Sequence, residues 1–568
     1  MATSQWSSAS NKSRWEMTAR REVIVSFADS FRSLDFLEQA QALHKLQGEP
    51  AAEALAELTP LFLEPTGDTA ADTMVRNTMR TLLQKNPDSI VSGIDHPYGP
   101  YAALCRDLAG EMHIVKAAPV LIARLGKATD SASLNETLTA LGRIGSDAAI
   151  PVFHEHMRHA DPVIASLCIQ YLGALGDTSC IQSLTDIISA NEADDRYAMC
   201  GITTWAAIEA LGRIGASSHA PALSELARFI HHRNPEARRI VLETFVRCGE
   251  LAIPHIAPAL LDSDKDSRVM AANALRDIAH KSAAQPLIHA LEQGAAFDPN
   301  VGFAIYEALG CTPGVKSLVA LTDALPVEQE PSTLLAIVYA LESLASPMVG
   351  KRFLEIIADR MAARDAQAQR ILQAIITAHA VKLFPYLHAD PVAGRILVSL
   401  ILKCNNAETM LTFVEALKQC EGQQAARDAE AIRKEMPKHD SGRPKLLAID
   451  DSTAMRNFYR SHGSAIGFDV MLAEHGREAL DIVEALEGVF DVIVVDMNMP
   501  VMDGIQFTEK LRAMPLYATT PVIMATTESG RSQAALARKS GVSSFLPKPF
   551  TPEMLQNKLG KLLERAKR

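Results

Sequence analysis

A short motif that returns along the chain constrains the fold more than any other feature. Ala140-Leu-Gly-Arg-Ile-Gly145 comes back as Tyr171-Leu-Gly-Ala-Leu-Gly176 after 31 residues and as Ala210-Leu-Gly-Arg-Ile-Gly215 after a further 39. Weaker copies follow at Phe245-Val-Arg-Cys-Gly249, Ala274-Leu-Arg-Asp-Ile-Ala279, Ala308-Leu-Gly-Cys311 and Ala340-Leu-Glu-Ser-Leu-Ala345. A second marker keeps the same beat: Asp161-Pro162, Asn234-Pro235, Asp298-Pro299 and Asp390-Pro391. Asp or Asn caps a helix start, and Pro fits the first helical position because its missing N–H would be unpaired there. About a dozen residues on, Gly145, Gly176, Gly215 and Gly249 are placed to end the helix in the left-handed conformation. A second, shorter apolar helix then follows, for example over 178–190. Such a hairpin, roughly 31–35 residues long, cannot bury its apolar face alone, so stacked copies form a superhelical solenoid.

The pattern resembles HEAT repeats, particularly the short class found in phycobilisome lyases, over roughly 115–417. Residues 18–114 are helical but out of register and read as an N-terminal cap, while 1–17 read as a disordered tail. Composition agrees with helix-on-helix packing: aromatics make up only 5% of the chain, and Ala and Leu are abundant. The eight cysteines are scattered without a Cys-x-x-Cys pair, which favours free thiols in a reducing compartment. No apolar stretch approaches the roughly 20 residues that span a bilayer, and the polar start is unlike a signal peptide. A cytoplasmic protein without membrane insertion is expected. From Pro444 onward acidic and basic residues balance at 15 each, so the net charge of −11 falls on the repeats. An acidic body speaks against a nucleic-acid partner, which needs a basic face.

After a short Pro- and Gly-containing linker at 435–443 the period changes. Lys445–Ile449, Val492–Val495 and Val522–Met524 are short apolar runs, each followed by a helical pattern, as buried parallel strands should be. Helices fit Thr453–Ala465, Arg477–Leu486, Ile505–Ala513, Ser532–Ser540 and Pro552–Arg565. Five β/α units suit a flavodoxin-like doubly wound sheet, whose ligands bind at the carboxyl ends of the strands. Polar residues sit at those ends: Asp450 and Asp451 after the first strand, Asp496 after the third, Thr526 after the fourth and Lys548 after a short fifth strand. The expected architecture is thus multidomain: an all-α HEAT-like solenoid up to 434, then an α/β (βα)5 domain over 444–568.

This C-terminal set resembles the receiver domains of response regulators, motif by motif. The resemblance implies that Asp496 is the phosphoacceptor and that Mg2+ is held by Asp450, Asp451, Asp496 and the backbone carbonyl of Asn498. It further implies that Lys548 pairs with Asp496, that the Thr526 hydroxyl meets the phosphoryl group, and that Phe545 is the switch aromatic. Asn498 and Glu528 occupy the positions that tune dephosphorylation, with the Asn/Glu pair of the chemotaxis receiver. Such a domain catalyses only its own phosphorylation and dephosphorylation. It takes its phosphoryl group from a histidine kinase or phosphotransfer protein.

Two other signals carry less. His154-Glu-His156-Met-Arg-His159 misses the H-E-x-x-H spacing, and Gly310-Cys-Thr-Pro-Gly314-Val-Lys316-Ser317 misses the P-loop by one residue between its glycines. The reading is a response regulator with output through an unidentified protein partner of the solenoid. The alternatives are a bilin-lyase-like or other catalytic solenoid, or a phosphate sink. Coupling between receiver and solenoid is expected through Ser532–Ser540, Phe545 and the last helix, acting on the repeats at 383–417.

Overall fold

The computed structural model describes residues 27–566 apart from 127–129, 194–199, 218, 363–364, 405, 421, 437–442, 486–489 and 527–530. The expected tail at 1–17 and most of the expected linker at 435–443 lie outside the described residues. The chain divides into two compact units, Met1–Ile181 and Gln182–Arg568. This division follows contacts, and it groups the receiver with the later repeats.

The first unit is helical, beginning with Phe36–Gln47, Ala51–Leu63 and Thr69–Gln84. Its repeat helices Ser131–Ile144 and Pro162–Leu175 end as the sequence predicts, with Gly145 at φ 71° and Gly176 at φ 69°. Asp161 caps the second of these by accepting from the Val163 amide at 2.9 Å.

In the second unit, five repeat helices lie side by side in chain order: α1 Pro235–Cys248, α2 Lys265–Ile278, α3 Pro299–Cys311, α4 Pro331–Ser343 and α5 Ala366–Thr377. Shorter helices such as Ala284–Glu292 and Val315–Ala324 form a second layer behind them. The Asp/Asn-Pro marker does what its chemistry predicts. Asn234 accepts from the amides of Glu236 and Ala237, and Asp298 from those of Asn300 and Val301. Each α helix buries an apolar stripe. In α3 this comprises Val301, Ile305, Ala308 and Leu309, all at zero exposure, each large side chain contributing about 1.5–3 kcal/mol.

Two glycines depart from expectation. Gly215 does not end its helix, which runs from Ile202 to Ser217. It is small because the next helix crosses close by: a Cβ there would lie 2.4 Å from Leu223 Cγ. Gly249 does take a positive φ of 58°, but its ψ of −134° lies outside the left-handed helical well.

The C-terminal domain is a five-stranded parallel sheet ordered β2-β1-β3-β4-β5. The strands are β1 Lys445–Ile449, β2 Asp469–Ala473, β3 Val492–Asp496, β4 Val522–Thr526 and β5 Ser544–Pro547. The helices are α6 Thr453–Ala465, α7 Gly476–Ala485, α8 Gly504–Arg512, α9 Arg531–Lys539 and α10 Pro552–Ala566. Strands β3 and β4 are buried at every position, which is why they read as unbroken apolar runs. β2 is an edge strand with alternating exposure and gives no such run, so its position could not be read from the sequence. The order 2-1-3-4-5 places a topological switch between β1 and β3, where ligands of doubly wound sheets bind.

Candidate functional site

Because all five strands are parallel, their carboxyl ends meet at one edge, and the register sets what is brought together. Ile449 pairs with Val495, Asp496 with Ala525 and Thr526 with Pro547. Asp450, Asp496, Thr526 and Lys548 therefore converge. Lys548 Nζ lies 2.8 Å from Asp450 Oδ2 and 3.1 Å from Asp496 Oδ1. Carboxylate oxygens of Asp450, Asp451 and Asp496 all fall within 4.8 Å of one another. Behind them, Gly504 lets helix α8 start against strand β3: a Cβ there would lie 2.2 Å from the Asp496 carbonyl oxygen. The Gly504 amide donates instead to the Met497 carbonyl at 3.1 Å.

The electrostatics follow from burial. Asp450 is fully buried and Asp496 nearly so. Desolvation pushes the Asp496 carboxyl above its ordinary pKa; Lys548 pulls it back, while Asp450 and Asp451 push it further up. Asp450 is raised for the same reasons, again against the pull of Lys548. Burial disfavours the Lys548 ammonium, yet Asp450 and Asp496 outweigh it and hold its pKa well above the ordinary lysine value. The Lys548 ammonium thus bridges two of three converging carboxylates. That oxygen-rich donor set suits a hard divalent cation such as Mg2+.

The Thr526 side chain is buried at the end of β4, its hydroxyl 3.7 Å from Met497 Sδ. Phe545 is half-buried against the receiver core, with the Arg538 guanidinium 5.9 Å from its ring centroid. Glu528 lies outside the described residues. His154 pairs with Asp177 at 2.6 Å, and among the described residues the three aspartates are the only group arranged to hold a metal ion.

Sequence reasoning missed what covers this site. Within the second unit, repeat side chains reach onto the active-site loops. Arg276, on α2, places Nη2 2.5 Å from Asp451 Oδ2, Nη1 3.1 Å from Glu307 Oε2 and Nε 2.9 Å from Asp277 Oδ1. The Ser452 hydroxyl donates to Glu307 Oε1 at 2.5 Å. Arg238 Nη2 donates to Asn498 Oδ1 at 2.6 Å, and Asn300 Nδ2 donates to the Lys548 carbonyl at 2.9 Å. Helix α6 continues the seam. Asn457 donates to the Ala378 carbonyl, Ser461 to the Thr377 carbonyl, and Arg460 meets Glu408 at 3.3 Å. Among the described residues, the expected coupling face of Ser532–Ser540, Phe545 and the last helix supplies none of these bonds, which run over the active-site end. The repeats at 383–417 do take part, through Glu408 and through Asn406, which donates to the Ser461 carbonyl. One signal was available: the Leu-Gly of the strong repeat copies becomes Leu275-Arg276 in this copy.

The response regulator receiver domain family matches residues 446–560, and the HEAT repeat family matches 118–200 and 253–342. A chemotaxis protein CheY homolog of Campylobacter jejuni strain 81-176 is 42% identical over 120 residues, covering 92% of that protein and 21% of this chain. The chain belongs to the response regulator receiver family. CheY1 of Helicobacter pylori strain J99 is 41% identical over 116 residues, 93% of its length and 20% of this chain. The structure of Vibrio cholerae CheY4 aligns at 37% identity over 21% of this chain and 98% of its own, with a TM-score of 0.20. These relatives cover the receiver alone, which in this response regulator follows HEAT repeats matched at 118–200 and 253–342. Among the described residues no helix is long and apolar enough to cross a membrane.

Proposed function

We propose that this response regulator accepts a phosphoryl group on Asp496 from a histidine kinase or phosphotransfer protein, and that its HEAT repeats are the output, acting by protein binding. The observation that carries the reading is the convergence of Asp450, Asp451 and Asp496, with Lys548 bridging Asp450 and Asp496, at the switch-point end of the sheet. Asp451, Asp496 and the Asn498 carbonyl would hold Mg2+, with Asp450 acting through water. When bound, the cation neutralises the cluster and supplies Lewis acidity toward phosphoryl oxygens. Asp496 Oδ attacks phosphorus; the bond from phosphorus to the donor nitrogen breaks, and the imidazole leaves with its electron pair. Lys548 stays beside the new acyl phosphate as a counter-charge, and the Thr526 hydroxyl donates to one of its oxygens. In the return step water attacks phosphorus, the bond to Asp496 breaks, and phosphate leaves as the carboxylate is restored. Asn498 and Glu528 are the positions that set its rate. No other reaction is assigned to the chain.

The test is labelling of the full-length protein by acetyl phosphate. Asp496→Asn should abolish labelling, and the wild type should need Mg2+. A phosphoaspartate mapped to another residue of the wild type would contradict the assignment.

A further inference from the structure

We propose that Arg276 is a built-in occupant of the receiver's cation site: its guanidinium on Asp451 and a divalent cation exclude each other, so metal binding undocks the repeats from the active-site end. The inference rests on the phosphoacceptor reading and goes beyond it by assigning a role to a repeat residue.

The geometry supports this in three ways. First, Arg276 is held in place from its own side. Asp277 takes Nε and Glu307 takes Nη1, leaving Nη2 to meet Asp451. A planar guanidinium fixed by two carboxylates presents its third edge at little further entropic cost. Second, the contact is secluded: Arg276 keeps 10% of its side-chain exposure, Asp451 11% and Glu307 5%. A positive charge there is screened far less than one in water. Third, the bonded oxygen belongs to an expected metal ligand. A cation about 2.0–2.1 Å from its ligand oxygens would stand against a guanidinium nitrogen already 2.5 Å from Asp451 Oδ2. Arginine keeps its charge throughout the ordinary pH range, so a cation at Asp451 requires the guanidinium to move.

Movement of Arg276 does not stay local. Glu307 also accepts from Ser452, and Asn300 on the same helix holds the Lys548 carbonyl. Displacing the guanidinium loosens the bonds that fix the loops after β1 and β5 to α2 and α3. By linkage, a bound cation weakens docking by the same factor by which docking weakens cation binding.

The experiment is calorimetric titration of full-length protein with MgCl2, comparing the wild type with Arg276→Gln, alongside hydrogen exchange of the wild type with and without Mg2+. The expected result is Mg2+ affinity about tenfold tighter in Arg276→Gln, and faster exchange in 265–311 of the wild type when Mg2+ is added. Circular dichroism checks that the variant folds; if it does not, the wild-type exchange decides alone. Equal affinity in both proteins, or wild-type exchange in 265–311 that is unchanged or slower with Mg2+, overturns the proposal. Absence of Mg2+ binding by either protein overturns it too, and distinguishably, because the cation-site reading then falls with it.

Discussion

At the residue scale, the site is one lysine set against carboxylates that burial would otherwise neutralise. Lys548 bridges Asp450 and Asp496, and removing one partner of a buried pair leaves uncompensated charge. Lys548→Met should cost about 3 kcal/mol in chelator, read by urea denaturation. Millimolar Mg2+ should restore much of it, because a ligand of the folded state alone stabilises by mass action. A variant as stable as wild type in chelator would show that the lysine does not offset these charges. The individual positions were legible in the sequence because their chemistry is specific and strand ends are easily located. Arg276 and Arg238 were not: arginine in place of the repeat glycine marks position 276 as different, but nothing local to a repeat helix tells which distant loop it will touch.

At the element scale, the caps and strand runs were readable wherever one residue does one job. Asn234 and Asp298 cap because a carbonyl or carboxylate oxygen at that position meets free amides. Gly215 misled because glycine serves close approach as well as left-handed turns, and only the neighbouring Leu223 reveals which. β2 was hidden because an edge strand has only one apolar face. The seam between α5 and α6 carries its own titration. His379 Nε2 lies 3.0 Å from Thr409 Oγ1 and 3.3 Å from Ser461 Oγ. Burial pushes its pKa down to about 4, with Arg460 adding in the same direction. A histidine whose folded pKa lies below its unfolded value favours the folded state fully above about pH 6.5. That contribution drains as pH falls toward 4, because the unfolded chain then binds the proton more tightly. Urea midpoints of the full chain should show wild type losing up to about 3 kcal/mol more than His379→Gln between pH 6.5 and 4. Parallel pH profiles would show that this imidazole is not buried in the neutral form.

At the scale of the whole molecule, both components were legible in the sequence, one from its period and the other from five polar positions at strand ends. The bonds that join them over the active-site loops were not. A receiver whose active-site end lies against α2 and α3, joined by Arg276–Asp451, Arg238–Asn498 and Asn300–Lys548, makes its own repeats the first partner its phosphorylation state can alter. A phosphoryl group brings up to about two negative charges and three acceptor oxygens to Asp496, within a cluster where Asp451 and the Lys548 loop are already engaged. On the proposed reading, output amounts to releasing repeat surface, with a coupling of about 1–3 kcal/mol between the two states. The most direct measurement is hydrogen exchange on the full-length chain, unmodified and then carrying beryllofluoride with Mg2+ at Asp496. The account predicts faster exchange in 265–278, 299–311 and 453–465 on activation, with the repeats at 131–175 unchanged. Protection in those three segments that stays constant or rises while Asp496 is occupied would contradict it.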